Sequence, residues 1–449
     1  MITNTHSRTL AAFVKATLVG AVAAVPMVGY AAGFSLSEQS VVGLGRSFAG
    51  GAALAENAST LYYNPAGITH LDRELVQGAS LISLTADFDK TSATDPIGQP
   101  LSGGEGGSVG KLGGPVTLYY VDPINDKMAW GVGINAPFGL ATQYDRDSVM
   151  RYQAVYSRVM ILNIQPTIAY QIDDHLSFGF GADIQYMEVK LQSEIDFGSI
   201  CFGLVGPVTC TGLGLTPQAA DGAVTLEGNG FGYGWNAGLL WVDGGTRIGI
   251  NYRSAVKHEL DGTADFNRAP VAFTSTGVFT DSSIVADFKT PELLSISFAQ
   301  DIGEDWMLSL DLTRTGWDTF RELRVDYGNP NQPDSVEKQY YQDVYKTAIG
   351  VDYDLNEKWT LRAGYAYDNS PVSDEFRSAR LPDGDRTWLS FGATWKYSDS
   401  LEFNAGYAYL ELGSGNKLPF DREGPAADHV VGTFEGDAHI VGLEARLKF

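Results

Sequence analysis

The feature that most constrains the fold is an alternation with a period of two, which recurs along the whole chain. Between Phe231 and Trp241 the odd positions are mostly bulky and apolar, and the even positions are mostly glycine or polar. Segments 246–257, 359–368 and 441–449 repeat this pattern. Because a period of two places successive side chains on opposite faces of a β-strand, the sequence predicts an all-β protein.

The first 31 residues have the pattern of an export signal. Arg8 and Lys15 supply positive charge, the stretch 16–30 is apolar or small, and Gly29 and Ala31 form a small-residue cleavage site. These features predict a secretory signal peptide over 1–31 and a mature chain that starts near Ala32. A buried N-terminal helix is the alternative interpretation.

A soluble β-sandwich also shows alternation, and three features favour a membrane barrel instead. Trp and Tyr lie near the ends of the apolar faces, the chain ends on Phe449 in an alternating segment, and the connections are alternately short and long. Aromatic girdles, short periplasmic turns and long outer loops are typical of transmembrane β-barrels. After the signal there is no run of about 18 apolar residues, so the sequence does not predict a transmembrane helix.

The connections predict the number of strands. Six short turns and seven long loops join 14 antiparallel strands, and an even number leaves both ends of the barrel wall on the periplasmic side. The predicted strands lie near 76–88, 115–121, 128–136, 156–172, 176–195, 229–242, 246–264, 286–301, 306–325, 341–354, 359–369, 386–397, 401–412 and 435–449.

The segment 32–75 differs from the rest, because it is rich in Gly, Ala, Ser and Asn and has no strand period. It is too short to form a domain with its own core. We expect it to fold back as a small, partly helical hatch that plugs the lumen. The barrel, over 76–449, is then a single domain.

Composition and motifs exclude several classes of function. The formal net charge of −23 argues against nucleic acid as a partner, since phosphate binding needs a basic surface. In an oxidising compartment Cys201 and Cys210 are expected to form a disulfide, and a metal site would need more ligands nearby. Leu112 stands where a phosphate loop needs Ser or Thr, and no nucleophile and base are paired by a motif. We therefore predict no enzyme activity, no cofactor and no metal.

A series of short motifs occurs in order along the chain. They are 32–38 (AGFSLSE), 43–50 (GLGRSFAG), 64–66 (NPA), 135–140 (NAPFGL), 234–238 (GWNAG), 251–254 (NYRS), 368–372 (DNSPV), 381–386 (LPDGDR) and 388–390 (WLS). Together these motifs strongly resemble the FadL family of long-chain fatty acid transporters, which includes the TodX-type aromatic hydrocarbon transporters.

The resemblance implies a route for a ligand. An extracellular hydrophobic groove captures it, and it then moves to a pocket beside the start of the hatch, where Phe34 and Leu36 are candidate contacts. Packing of the hatch alone is the alternative role for these two residues.

The resemblance also implies a kink in the third strand that makes a lateral hole toward the bilayer. Pro137 and Gly139 are the candidate kink residues, because proline removes a ladder donor and glycine lacks a side chain. An ordinary strand end is the alternative for Pro137. Asn64, Pro65 and Ala66 are expected to face this kink as the gate of the hatch.

Strand parity predicts that five basic side chains face the lumen, where one could bind a carboxylate. They are Arg247, Arg253, Lys257, Lys346 and Arg362. The alternative is that each pairs with an acidic residue across the lumen. Gln342 stands where the fatty-acid members carry a basic residue, which would alter the head-group site and make a neutral hydrocarbon more plausible.

These observations predict a passive transporter of hydrophobic molecules in the bacterial outer membrane, with long-chain fatty acids as the first expectation. Uptake of an aromatic or alkane hydrocarbon is the alternative within the same class. A surface or structural barrel that serves as a phage or host receptor is the alternative of another class. We expect a monomer that is inserted by the barrel-assembly machinery and surrounded by outer-membrane lipid and lipopolysaccharide.

Overall fold

The computed structural model describes residues 33–421 and 428–449. The predicted signal peptide over 1–31 and the predicted mature N-terminus at Ala32 lie outside the described residues. None of the described helices is long and apolar enough to cross a membrane.

The described strands form one closed antiparallel barrel of 14 strands, as predicted. The ring closes because β1 pairs with the last strand from Glu74 opposite Lys448 to Thr94 opposite His429. In chain order the strands are β1 (Glu74–Thr94), β2 (Leu112–Gly113 and Val116–Asn125), β3 (Met128–Asn135 and Gly139–Gln143), β4 (Tyr156–Gln171), β5 (Leu176–Asp196), β6 (Asp221–Asp243), β7 (Thr246–Arg253 and Val256–Asn267), β8 (Ser282–Thr290 and Leu293–Ile302), β9 (Trp306–Thr315 and Glu322–Tyr327), β10 (Ser335–Lys338 and Val344–Asn356), β11 (Trp359–Asp368), β12 (Arg386–Ser398), β13 (Leu401–Leu412 and Asn416–Asp421) and β14 (His429–Lys448).

The outer face of the barrel is apolar, and its exposed aromatic residues lie toward both the short turns and the long loops. Exposed aliphatic side chains such as Ile168, Ile250 and Leu312 point outward from the middle of their strands. Trp359 and Trp395 stack with ring centroids 5.9 Å apart, beside the short turns that join β10 to β11 and β12 to β13. This belt with an aromatic rim is the surface that a bilayer requires.

The segment before β1 lies inside the barrel. It contains helix α1 (Val41–Leu44), helix α2 (Thr60–Tyr63) and a 3₁₀ helix (Pro65–His70). We call residues 33–39 the hatch N-terminus and residues 41–70 the hatch body. Inward-facing glycines let the hatch body approach the wall: a Cβ on Gly364 would lie 2.2 Å from the carbonyl carbon of Arg46.

Seven of the described strands consist of two segments, and the breaks in β7, β8 and β9 fall where the alternation predicts continuous strands over 246–264, 286–301 and 306–325. β3 breaks after Asn135, and β7, β8, β9 and β10 break one after another around the wall. In β9 the break contains a helical turn, Trp317–Thr319. These breaks move aromatic side chains from the wall into the lumen.

The break in β7 reverses the faces of the strand beyond it. Between the pairs Asn236–Arg253 and Gly232–His258, β7 contains one residue more than β6. An extra residue of this kind is a β-bulge, and it shifts the alternation by one position. The prediction that Lys257 faces the lumen is therefore wrong: its side chain is 61% exposed and pairs with Asp287 on the outer face.

The longest described loop joins β5 to β6 and is helical. It contains α3 (Phe197–Val205) and α4 (Pro207–Gly212), and a disulfide joins Cys201 to Cys210 between them. The loop between β7 and β8 carries α5 (Val271–Thr274). Phe197 and Phe273 pack with ring centroids 5.0 Å apart, so the two loops form one cap over the long-loop end.

Candidate functional site

Phe34 lies at the centre of a buried group of aromatic rings, which we call the aromatic cluster. Its ring centroid is 4.6 Å from Trp317, 5.5 Å from Phe288, 5.8 Å from Phe138 and 6.0 Å from Phe320. Tyr341 completes the cluster, 5.0 Å from Phe320. Phe34 and Leu36 are both buried. The cluster is a buried apolar environment that consists mainly of aromatic rings.

Gly33 determines how Phe34 enters this cluster. Its φ is +70°, a conformation that favours glycine, and a Cβ there would lie 2.7 Å from the indole of Trp317. The Gly33 amide donates a 2.9 Å hydrogen bond to a carboxylate oxygen of Asp383. The hatch N-terminus is therefore held by one hydrogen bond before Phe34 and by ring contacts at Phe34.

The backbone of the hatch N-terminus fills the break in β3. The Leu36 amide donates to the carbonyl of Pro137 at 2.8 Å, and the Gly139 amide donates to the carbonyl of Phe34 at 2.9 Å. Ser35 and Phe138 form the bridge between them. The break leaves backbone groups without strand partners, and these hatch residues satisfy them. Phe34 and the break are thus parts of one structure.

Gln39 holds the same break through its side chain. Its amide nitrogen donates to the carbonyl of Ala136 at 2.6 Å, and its amide oxygen accepts from the Ala136 amide at 3.2 Å. Tyr119 in turn donates its hydroxyl to the Gln39 carbonyl at 3.0 Å. The last residue of the hatch N-terminus is therefore fixed to both β2 and β3.

Lys346 reaches the hatch from β10. Its ammonium donates to the hydroxyl of Ser37 at 3.2 Å and lies 4.7 Å from the ring of Phe48 and 4.2 Å from the ring of Trp388. These contacts, within the part of the chain that the structure describes, are to neutral groups. The cation lies over aromatic faces, and the carboxylates of Asp368, Glu38 and Asp311 are near enough to interact with its charge.

Glu38 is the acidic group nearest to this site on the hatch. It is buried, and neither carboxylate oxygen has a hydrogen-bond partner among the described residues. Burial raises the pKa of Glu38 to about 7, and the nearby charges of Lys346 and Arg386 oppose that rise. Its protonation state therefore changes within the physiological pH range.

Arg253 faces the lumen, as predicted from parity, and is fully occupied there. It forms an ion pair with Asp183 and donates to the carbonyl of Tyr62 and the amide oxygen of Gln165, both at 3.1 Å. Its guanidinium also lies 4.5 Å from the ring of Tyr62. The contacts of Arg253 hold the hatch body.

Arg362 joins a second network at the short-turn side of the hatch body. It pairs with Asp352 at 2.7 Å and Glu56 at 3.3 Å. Arg46, from the hatch, pairs with the same two carboxylates. Four charges from the hatch and the wall thus neutralise one another, and Arg362 lies away from the aromatic cluster.

Asn64, Pro65 and Ala66 lie in the hatch body against β5 and β6, so the expectation that they face the kink in β3 is wrong. The side-chain amide of Asn64 donates a hydrogen bond to the carbonyl of Leu239 at 2.9 Å. A Cβ on Gly179 would lie 2.3 Å from the Ala66 amide nitrogen. Wall glycines on β5 and β6 make the room for this turn, and the hatch N-terminus takes the position at the break instead.

Gln342 is exposed, and its backbone amide donates a hydrogen bond to the carbonyl of Pro371 at 3.0 Å. The structure therefore brings together Phe34, Leu36, Pro137, Gly139 and Lys346. It leaves Lys257 and Gln342 outside this group.

Sequence patterns missed several members of the site. Trp317 and Phe320 lie within a predicted continuous strand, although Gly316 marks the interruption. Glycine inside a strand often marks a bulge or a close approach, so this glycine was a usable signal. Arg46 was missed because its partner Asp352 lies 306 positions away in the sequence.

Below the hatch body a polar cavity of about 860 Å³ opens toward the short turns. Its lining includes both acidic and basic side chains, among them Glu56, Asp301, Arg247 and Arg446. An apolar molecule gains little in such a cavity, since its favourable transfer from water needs an apolar environment.

A family model described as outer membrane protein transport protein (OMPP1/FadL/TodX) matches residues 22–449. The chain belongs to this family. Members of the OMPP1/FadL/TodX family are transport proteins by description, and the chain is accordingly a barrel of the bacterial outer membrane.

Two relatives match over almost their whole length. The long-chain fatty acid transport protein of Escherichia coli (strain K12) is 30% identical over 447 residues, which cover 94% of this chain and 97% of that protein. Outer membrane protein P1 of Haemophilus influenzae is 31% identical over 455 residues, covering 93% and 95%.

Solved structures support the fold. A Pseudomonas aeruginosa FadL homologue has a TM-score of 0.87 at 21% identity and covers 93% of this chain and 100% of that one. The toluene transporter TodX of Pseudomonas putida has a TM-score of 0.63 at 17% identity and covers 94% and 99%.

Proposed function

We propose that this protein takes up hydrophobic molecules passively across the outer membrane, and that long-chain fatty acids are its principal ligands. The main support for this proposal is that the hatch N-terminus both places Phe34 in the aromatic cluster and fills the break in β3 with its backbone. A ligand that displaces Phe34 therefore also draws the backbone out of the break. Binding and opening become one event.

The exit route in this proposal is lateral. The cavity below the hatch body is polar, and the ion pairs of Arg46 and Arg362 close the lumen above it. The break in β3 is closed mainly by the hatch N-terminus, through hydrogen bonds and the ring of Phe34, with one further hydrogen bond from the Ile161 amide to the Phe138 carbonyl. An apolar chain that leaves through the break passes from one apolar surface to another, and each buried CH₂ favours that path by roughly 0.8 kcal/mol.

The preference for fatty acids rests on Lys346. Its ammonium lies beside Ser37 of the hatch N-terminus, where a carboxylate head could pair with it while the tail occupies the aromatic cluster. Charge-assisted hydrogen bonds of this kind are about twice as strong as neutral ones. The names of the Escherichia coli and Shigella flexneri relatives support the same ligand class.

The first contact with the ligand is proposed at the long-loop cap. Val208 on α4 and Val271 on α5 are 88% and 79% exposed, and Leu204 and Leu213 are exposed beside them. Exposed apolar patches of this kind favour interaction with an apolar partner.

A neutral hydrocarbon is the second candidate ligand. The cluster around Phe34 consists of aromatic rings, which suit a flat arene as well as an acyl chain. Gln342 lies outside the site, so its neutral side chain does not decide between the two ligands. Receptor activity toward phage or host remains the alternative of another class, and the exposed long loops would carry it.

Insertion by the barrel-assembly machinery, contact with outer-membrane lipid and lipopolysaccharide, and a monomeric state belong to the same proposal. The exposed terminal Phe449, just beyond the end of β14, supports recognition during assembly.

Uptake of labelled oleate by a deletion strain that carries the gene, compared with the strain alone, tests this proposal. We expect uptake only with the gene, and loss of it in Phe34→Ala. The lipid-facing Phe391→Ala is the matched control, since its ring is exposed on the outer face. Uptake of toluene or an alkane without uptake of oleate would favour the second candidate. Uptake of neither, with barrels correctly inserted, would contradict transport.

A further inference from the structure

The barrel wall has a seam between β8 and β9. Below it the two strands are paired from Leu293 opposite Thr315 onward. Above it the register pairs of the described chain are Ile284 with Tyr327 and Val285 with Asp326, followed by a 2.8 Å hydrogen bond from the Gly328 amide to the Ser283 carbonyl. In the described chain, residues 286–291 of β8 have no register partner on β9. Residues 256–260 of β7 pair normally with the other edge of the same β8 segment.

The seam exists because β9 leaves the wall. After Gly316, whose amide donates to the Glu292 carbonyl at 2.9 Å, the chain makes the turn Trp317–Thr319 into the lumen. It returns at Glu322 to pair with Lys338 of β10 instead of β8. Side chains close the gap, and the rings of Phe288 and Phe320 lie 5.0 Å apart across it.

The outer surface changes from apolar to polar at the seam. Below it Leu294, Leu310 and Leu312 are exposed on the outer face. At its lower edge Arg314 pairs with Glu292 and Asp343. This change marks the boundary between the hydrocarbon layer and the outer head groups, which is where the polar end of an amphiphile lies.

Phe34 lies between two interruptions of the wall. Phe138 of the β3 break is 5.8 Å away on one side, and Phe288 and Phe320 of the seam are 5.5 and 6.0 Å away on the other. Among the described residues of the hatch N-terminus, only Phe34 contributes a ring to the contacts between the β3 break and the seam. The hatch N-terminus thus lies between the seam and the proposed exit, which also meet directly where the rings of Phe138 and Trp317 are 6.1 Å apart.

We propose that the seam between β8 and β9 is a side port through which amphiphiles with an apolar tail pass from the outer leaflet to Phe34. This port deepens the proposed function and rests on it. Swinging Phe288 and Phe320 aside breaks no ladder hydrogen bond, whereas opening any paired strands would break several. The buried indole N–H of Trp317 has no hydrogen-bond partner among the described residues, so it offers a donor to the polar head of the ligand.

Reversible cross-linking of the seam tests the port. The double variant Phe288→Cys, Phe320→Cys would be joined by oxidation or by a short bis-thiol reagent, and oleate would be supplied from phospholipid vesicles fused to the outer membrane. We expect cross-linking to lower the initial rate of uptake about tenfold or more relative to the same variant before oxidation, and reduction to return it to that starting rate. Leu293→Cys, Thr315→Cys is the matched control, because it joins the same strands where they are already paired.

The outcomes separate the port from the proposed function. Equal uptake by the cross-linked and reduced forms would overturn the port while leaving transport intact. If wild type exceeds the deletion strain but neither form of the double variant does, the single variant Phe320→Ala tests the port instead. Its seam is open, so the initial rate of uptake from vesicles should rise several-fold. An unchanged rate in this variant would overturn the port. If wild type itself does not exceed the deletion strain, the proposed function fails. The port would also be overturned if cross-linking lowered uptake only of oleate delivered on albumin. That result would mean that the seam serves ligands that arrive from water and not from the outer leaflet.

Discussion

The two parts of the hatch are attached to the barrel by different forces. The hatch body is held by buried charges, with Arg46 paired to Glu56 and Asp352 and with Arg253 paired to Asp183. The hatch N-terminus is held by backbone hydrogen bonds at the β3 break and by the ring of Phe34. Separating buried charges costs more than breaking a few neutral hydrogen bonds and exchanging one apolar contact for another. The difference indicates that the body stays in place while the N-terminus moves.

The largest effect is expected from breaking the attachment of the hatch body. Arg46→Met leaves Glu56 and Asp352 with Arg362 as their remaining partner, and removal of one member of a buried pair costs about 4 kcal/mol. We expect a less stable hatch and an ion-conducting barrel, measured as single-channel conductance in a planar bilayer. Arg146→Met is the control, because its pair with Glu194 is exposed on the arginine side and is worth less than about 1 kcal/mol. Closed channels in Arg46→Met would contradict the role of this network.

The next effect concerns the hatch N-terminus. Phe34→Ala removes a buried ring from the aromatic cluster, a loss of about 3 kcal/mol. We expect the affinity for ligand and the rate of uptake to fall, while the conductance stays closed because the body is still anchored. Proteolysis should cleave near Ser35 in this variant before any site in the body. A conducting channel in Phe34→Ala would show that the two parts do not move separately.

A smaller effect distinguishes the two ligand classes. Lys346→Met removes the ammonium beside Ser37, and a charge-assisted hydrogen bond is worth about 2 kcal/mol. We expect oleate to bind roughly thirtyfold more weakly and toluene to bind unchanged, as measured by calorimetry in detergent. Lys257→Met serves as the control, since its side chain is on the outer face. Equal losses for both ligands would mean that Lys346 supports the hatch and not the carboxylate.

The smallest effect is a dependence on pH. In the docked hatch burial raises the pKa of Glu38 from its ordinary 4.5 to about 7, so the docked state binds a proton more tightly than the undocked state. Docking is therefore favoured at low pH and weakened as the pH rises through 7. Between pH 6 and pH 8 the change is about 1.3 kcal/mol, or roughly tenfold in the docking equilibrium.

Hydrogen exchange of the Leu36 amide, which is bonded to Pro137, measures this equilibrium directly. After correction for the intrinsic effect of pH on exchange, protection should fall between pH 6 and pH 8. Glu38→Gln is the control, because it cannot ionise and should show no such change. A pH dependence that persists in Glu38→Gln would assign it to another group near the hatch.

The sequence predicts the barrel well because membrane strands repeat one rule many times. Alternation, short turns and the terminal Phe449 are all features of the barrel wall, and together they predict its 14 strands. The breaks escape this rule because alternation resumes on either side of them. At β7 a single additional residue before His258 reversed the predicted direction of Lys257.

The site was predictable only in part, for the same physical reason. Phe34 and Pro137 stand in motifs, but the rings around them come from β8, β9 and β10, which no local pattern joins. The partner of Arg253 is Asp183, on another strand of the wall. Strand parity identifies inward charges only where no bulge shifts the register, as the one in β7 does before Lys257, and the pairing of these charges depends on how the ring closes.

One measurement tests the central claim that the hatch N-terminus moves and the body does not. Ser35→Cys, Phe138→Cys would join the N-terminus to the β3 break, and Ser47→Cys, Ser390→Cys would join the body to β12, where the two hydroxyls are 2.8 Å apart. Oleate uptake is measured for both in the oxidised and reduced forms. The account predicts that oxidation abolishes uptake in the first variant and leaves it unchanged in the second. Full uptake with the N-terminus joined to β3 would contradict it.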